Sequence, residues 1–187
     1  MTDLSPVSRP PESNPDFRRG QLLLLLSQFT EPLTIDRIGY FEFFAANPHL
    51  VLRGGQDAVR LQLVGFNPDA LNYQSAPERY ANRRTRLRSD LAALTAWGYA
   101  QPVVEDGLIA CSLTDHGRQQ AEQLTSLYAD AYRESIQLIR PLFRLSDTAL
   151  AKKASEWLAI GDLRIDLLDL ELDLDLGVER SNQDEGS

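Results

Sequence analysis

Five arginines stand between Glu78 and Asp90, with those two acids as the only carboxylates in the stretch, giving it a local charge of +3. They are the residues here whose type and spacing suggest a chemistry most directly. On a helical wheel Arg79, Arg83 and Arg86 line one flank of an apolar stripe, Arg84 sits at its edge and Arg88 lies on the other flank. Guanidinium groups so arrayed meet phosphate oxygens when a helix enters a nucleic-acid groove. They serve equally as partners for the chain's own acids, Arg86 reaching Asp90 four residues on and Arg83 or Arg84 reaching an acidic C-terminal stretch.

Little else in the sequence suggests catalysis. His49, His116 and Cys111 are the only histidines and cysteine, with no Cys-x-x-Cys or His-x-x-x-His pattern, so no transition-metal set is expected. The C-terminal aspartates lack the turn glycine of a calcium loop, and leucine fills every second place among them. No phosphate-cradling glycine loop and no Gly-x-Ser-x-Gly elbow occurs. The expectation is a protein that is not an enzyme, with no catalytic residues, no metal and no cofactor.

The arginines fall on a helix predicted to open at Ser75 and Glu78, in the S-x-x-E spacing of a capping box. Tyr80, Leu87, Leu91 and Leu94 repeat down one face to Trp97, and Gly98 supplies a left-handed stop. Tyr99, Gln101 and Val103, then Leu108, Ile109, Cys111 and Leu113, flank the turn signal Asp106-Gly107 and predict a hairpin. Thr114 caps a new helix with Asp115 in its first turn. Helix, hairpin, helix, with Leu113-Thr114-Asp115-His116-Gly117 at the exit, is the order of a winged helix. The fold expected is therefore mainly α with a small β wing: a winged helix-turn-helix with extra C-terminal helices.

Around that unit the chain divides three ways. Residues 1–16, with Pro6, Pro10, Pro11 and Pro15 among serines, read as a disordered arm. Residues 17–161 read as the winged-helix domain and its helical extension, and 162–187 as an acidic, leucine-rich tail. Leu22 to Leu26 predict a helix buried on more than one side, closed by Glu31-Pro32. Thr34 caps a helix over 35–46 that stops at Asn47-Pro48. That helix carries Tyr40, Phe41, Phe43 and Phe44, more aromatic surface than one core stripe requires; the surplus is covered either by other parts of the chain or by a partner. Residues 57–64 fit a strand or a short helix equally well. After Thr114 the helical pattern runs about seven turns to Pro141, and Ser146 opens a further helix ending at Gly161.

The net charge of −8 is unevenly placed. Residues 162–187 hold nine acids against two arginines, which leaves 18 acids and 17 bases elsewhere. Within the tail, Leu168, Leu170, Leu172 and Leu174 alternate with acids, so an extended chain there has one apolar and one acidic face. Such a strand needs a sheet edge, in this molecule or a partner. No apolar run reaches the eighteen residues of a membrane span, nor does the start have signal-peptide order, so a cytoplasmic protein is expected.

These residues resemble one family: the middle components of bacterial three-component ABC-type systems, among them the Lamassu anti-phage systems. The likeness rests on the Leu22 to Leu26 helix, on Ile38, Tyr40, Phe41, Phe43 and Phe44 before Asn47-Pro48, and on Leu87, Leu91, Leu94, Gly98 and Tyr99 at the helix-to-wing junction. It spans roughly residues 17–114. The resemblance implies a non-catalytic adaptor between an SMC-like or Rad50-like ATPase and an effector, with ATP chemistry in the partner. The competing expectation is a MarR- or PadR-like homodimeric regulator reading DNA with the arginine helix.

Overall fold

The structure is a computed structural model, and it describes residues 11–67, 76–105 and 107–159. Its helices are α1 (Pro15–Leu26), α2 (Ile35–Ala46), α3 (Gly55–Leu63), α4 (Ala76–Ala96), α5 (Asp115–Glu122), α6 (Leu127–Ile139) and α7, residues 147–159. Strands β1 (Leu33–Thr34), β2 (Ala100–Glu105) and β3 (Leu108–Leu113) form an antiparallel sheet in the order β1-β3-β2. The described chain is thus mainly helical with one small sheet. None of its described helices is long and apolar enough to cross a membrane.

Helix α1 runs through the centre. It packs against α2, α4, α5 and α6, and all five of its leucines are buried. It begins earlier than the expected arm allows. Asn14 accepts the Asp16 N–H at 2.9 Å, Pro15 occupies the first turn where a missing N–H costs nothing, and residues 11–13 form a 3-10 turn ahead of it. Residues 11–16 therefore belong to the folded body, and only 1–10 of that arm lie outside the described residues.

Helix α2 follows β1 with no intervening residue, Thr34 serving both as the last strand residue and as the N-cap whose hydroxyl accepts from Arg37 N. The ambiguous stretch resolves as helix: α3 spans Gly55–Leu63, buries Leu61 and leaves Leu63 in solvent. Helix α4 ends where Gly98 takes a φ of 73°, and Tyr99 N returns to Leu94 O at 2.9 Å. Ser75, half of the expected capping box, lies outside the described residues. The hairpin pairs Ala100 with Leu113 through Glu105 with Leu108, turning at Gly107 with φ 76°.

The entry to α5 is tied to the root of the hairpin. Thr114 N donates to Tyr99 O at 3.0 Å, its hydroxyl donates to Gly98 O at 2.6 Å, and the same oxygen accepts from Gly117 N at 3.0 Å. Gly117 lies flush on this junction: a Cβ there would come within 1.9 Å of Tyr99 O. The single seven-turn helix expected after Thr114 is two helices. Ser126 caps α6 by accepting from Ala129 N at 3.1 Å, and the break redirects the chain so that α6 packs on α1 and α2. Ser146 then caps α7, its hydroxyl accepting from Ala149 N at 3.3 Å. Ile160, Gly161 and the tail lie outside the described residues.

Candidate interaction surfaces

Three of the five arginines of α4 are held by the chain's own carboxylates, and one of them is interior. Arg83, Leu87, Asp90 and Leu94 lie at four-three-four spacing on the buried stripe of α4, so Arg83 and Asp90 enter the core with the leucines. Arg83 donates to Glu42 on α2 and to Gln21 on α1, and Gln21 in turn donates to the Tyr128 hydroxyl. Asp90 accepts from Arg18 at 2.7 and 3.2 Å, with Arg19 Nε 3.4 Å away. Arg84 pairs with Asp36, and Arg79 lies 3.2 Å from Glu12.

The expected flank of phosphate-facing arginines is corrected accordingly. Arg83 is unreachable, and Arg79 and Arg84 have protein partners. The expected Arg86–Asp90 pair is also absent, because Asp90 is buried beneath α1. Arg86 and Arg88 are exposed and make no ion pair among the described residues.

This interior cluster sits in an environment that disfavours charge. Burial pushes the Glu42 carboxyl above its ordinary value, and the adjacent Arg83 offsets that only in part. Burial also raises the Tyr128 phenol, to about 12. Tyr132 donates its hydroxyl to the Glu42 carbonyl at 3.2 Å, closing the site from the α6 side. Nε and Nη1 of Arg83 are buried without hydrogen-bond partners. Through Arg83, Glu42, Gln21, Tyr128 and Tyr132 these bonds tie α1, α2, α4 and α6 to one another.

The aromatic helix is likewise turned inward, against the expectation that Tyr40, Phe41, Phe43 or Phe44 reaches a partner. Phe41, Phe43 and Phe44 are fully buried and Tyr40 is half-buried. Phe143 stacks on Phe41, Tyr80 meets Phe43 edge-on at 5.4 Å, and Trp157 meets Phe44 edge-on at 5.2 Å. Tyr40 stacks on Tyr80 at 5.6 Å. The surplus aromatic area is covered by α4, by α7 and by the 3-10 segment Arg140–Arg144. The other partner candidates, Leu168, Leu170, Leu172 and Leu174, lie outside the described residues.

Neither histidine has metal-binding company. His49 Nε2 is 3.1 Å from Phe66 O, the His116 ring packs on Tyr99 at 4.8 Å, and the described residues contain no metal-binding group of three or more side chains. The Cys111 thiol is buried and pushed up to about 11, which removes it as a nucleophile.

What faces solvent instead is apolar. Leu63 at the end of α3 and Leu127 at the start of α6 are 81% and 92% exposed, and both line one cleft of about 1000 Å³ together with Phe17, Phe66 and Tyr128. The sequence reading missed these two leucines. Their one signal is position: Leu63 stands two residues before Gly65 and Leu127 directly after the cap Ser126, places at helix ends where periodicity no longer specifies a buried face. A second, smaller groove lies beside the hairpin, where Val104, Leu108 and Ile109 are exposed. Scans against protein-family models, curated proteins and solved structures find no match to this chain.

Proposed function

We propose that this chain is a non-catalytic, cytoplasmic winged-helix adaptor subunit that links an SMC-like or Rad50-like ATPase to an effector in a bacterial anti-phage or anti-plasmid defence complex. The winged-helix reading draws support from the order α1, β1, α2, α4, hairpin, with β3 between β1 and β2. Helix α3 would be an insertion between the second and third helices of that fold. One observation carries the adaptor reading: Leu63 and Leu127 stand open over one cleft, while of the α4 arginines Arg83 is turned inward onto Glu42. A surface of that kind suits a protein partner, since exposed contiguous apolar patches mark interaction sites.

The test is co-expression with a candidate ATPase followed by size-exclusion chromatography. Leu63→Asp combined with Leu127→Asp should abolish co-elution. Both sites are exposed, so the melting temperature of the isolated chain should move by no more than about 2–4 °C. An undiminished complex in the double variant would refute the assignment.

A second reading, a MarR- or PadR-like dimeric regulator, is favoured by exposed Arg86 and Arg88 on α4. If these two only touch phosphates, replacing both with alanine lowers the log–log salt slope of DNA binding by about two. A salt-tolerant preference for one operator sequence favours the regulator instead.

A further inference from the structure

Strand β1 covers β3 only at Ala110 and Cys111, because the chain turns into α2 at Ile35. On the other side β2 accompanies β3 along its whole length, out to Leu108. Among the described residues the edge of β3 beyond Ala110 is therefore open on the β1 side, where alternation turns the backbone N–H and C=O of Ile109, and the Leu108 and Ile109 side chains are 54% and 60% exposed. Beside this edge lies a groove of about 580 Å³, with the half-buried Ile35 and Tyr40 as apolar walls, the buried Leu150 at its floor and Arg88 on its rim. Asp36 and Asp147 also border it, but each is already paired, with Arg84 and with Arg37 at 3.2 Å. Arg88 is the lining charge that has no ion pair among the described residues.

An occupant of this groove needs an extended backbone, one apolar face and one acidic face. The chain's own residues 168–174 have that chemistry, with leucine at 168, 170, 172 and 174 and an acid at each position between. They are also within reach. Leu150, near the start of α7, lines the groove, and Ala159 lies nine residues further on, about 14 Å along the helix axis. The eight residues 160–167 span up to about 28 Å when extended, enough to return.

We propose that residues 168–174 occupy this groove as an extended segment that continues the line of β1 and meets β3 at Ile109, leucines against Ile35 and Tyr40 and acids toward Arg88. The arrangement caps an otherwise open sheet edge, a hazard for strand-on-strand association. It is independent of the adaptor assignment, since it concerns one chain and no partner.

Hydrogen exchange on the full chain tests it, comparing the parent with a variant in which Leu168, Leu170, Leu172 and Leu174 are all serine. The Ile109 amide is expected to exchange about tenfold or more faster in the serine variant, whereas those of Leu108 and Ala110, which face β2, should not change. Arg88→Glu should give part of that loss and Arg88→Lys should not. Equal exchange in parent and serine variant overturns the proposal. So does protection that grows with protein concentration, which would place a second copy in the groove.

Discussion

Replacing Gly117 with alanine would place a Cβ 1.9 Å from the carbonyl oxygen of Tyr99 and 2.8 Å from its carbonyl carbon, where ordinary contact begins near 3.4 Å. Both obstructing atoms are backbone, so no rotamer relieves the overlap, and α5 must move off the hairpin root by roughly 1.5 Å. Overpacking of this kind costs about 1–3 kcal/mol. The displacement also strains the bond that the Thr114 N–H donates to Tyr99 O at 3.0 Å, which contributes about 0.5–1.5 kcal/mol. A loss of about 1.5–4.5 kcal/mol follows, which for a chain of this size lowers the melting temperature by on the order of 10 °C. Gly20 supplies the control, a helical glycine whose added Cβ meets only Leu124 Cδ1 at 3.9 Å. Gly20→Ala should stabilise by up to about 1 kcal/mol through helix propensity alone. Urea and thermal denaturation followed by circular dichroism read both variants. If Gly117→Ala melts within about 2 °C of the parent, the junction is not the close backbone contact described, and the reasoning fails.

Two further outcomes are expected. Phe43→Asp buries a carboxylate among Phe44 and Tyr80 and should abolish cooperative unfolding, visible as loss of the thermal transition; a folded variant with a sharp melt would contradict the packing. For Glu42 the sign follows from its raised folded pKa: the proton is held more tightly in the folded form, so its contribution to stability is complete below the ordinary value of 4.5 and is lost as pH rises through the folded value. The melting temperature of the parent minus that of Glu42→Gln should accordingly be largest in acid and shrink toward neutral pH. A difference that widens with pH would mean that the Arg83 attraction outweighs burial.

Local punctuation was legible. Thr34, Asn47-Pro48, Gly98 and Thr114 mark element ends because capping and left-handed stops depend on one or two residues and their immediate neighbours. Asn14-Pro15-Asp16 is equally local, yet it stands in a proline-rich run whose composition resembles that of an arm. The break at Ser126 was hidden by apolar periodicity that continues past it; a single straight helix cannot both dock at Tyr99 and lie along α1 and α2. The role of the arginines was half legible. Arg83 and Asp90 occupy stripe positions with Leu87 and Leu94, which marks them as buried, whereas their partners Glu42 and Arg18 are 41 and 72 residues away and no local pattern points to them. Exposure of Leu63 and Leu127 left no trace beyond their positions at helix ends, being a property of how α3 and α6 meet.

The central position of α1 has a consequence for synthesis. Its five leucines leave the ribosome well before their cover, for α6, which packs on them, ends at Ile139, 113 residues after Leu26. At translation rates of about 5–20 residues per second the leucine run waits roughly 6–23 s before its full enclosure exists. For that interval the nascent chain carries an unsheltered aliphatic segment, a binding site for holding chaperones and a seed for aggregation when many copies are made at once. Slower growth or lower temperature during expression lengthens the wait for each chain but thins the population waiting together, so soluble yield should depend more on expression level than on the melting temperature of the finished protein.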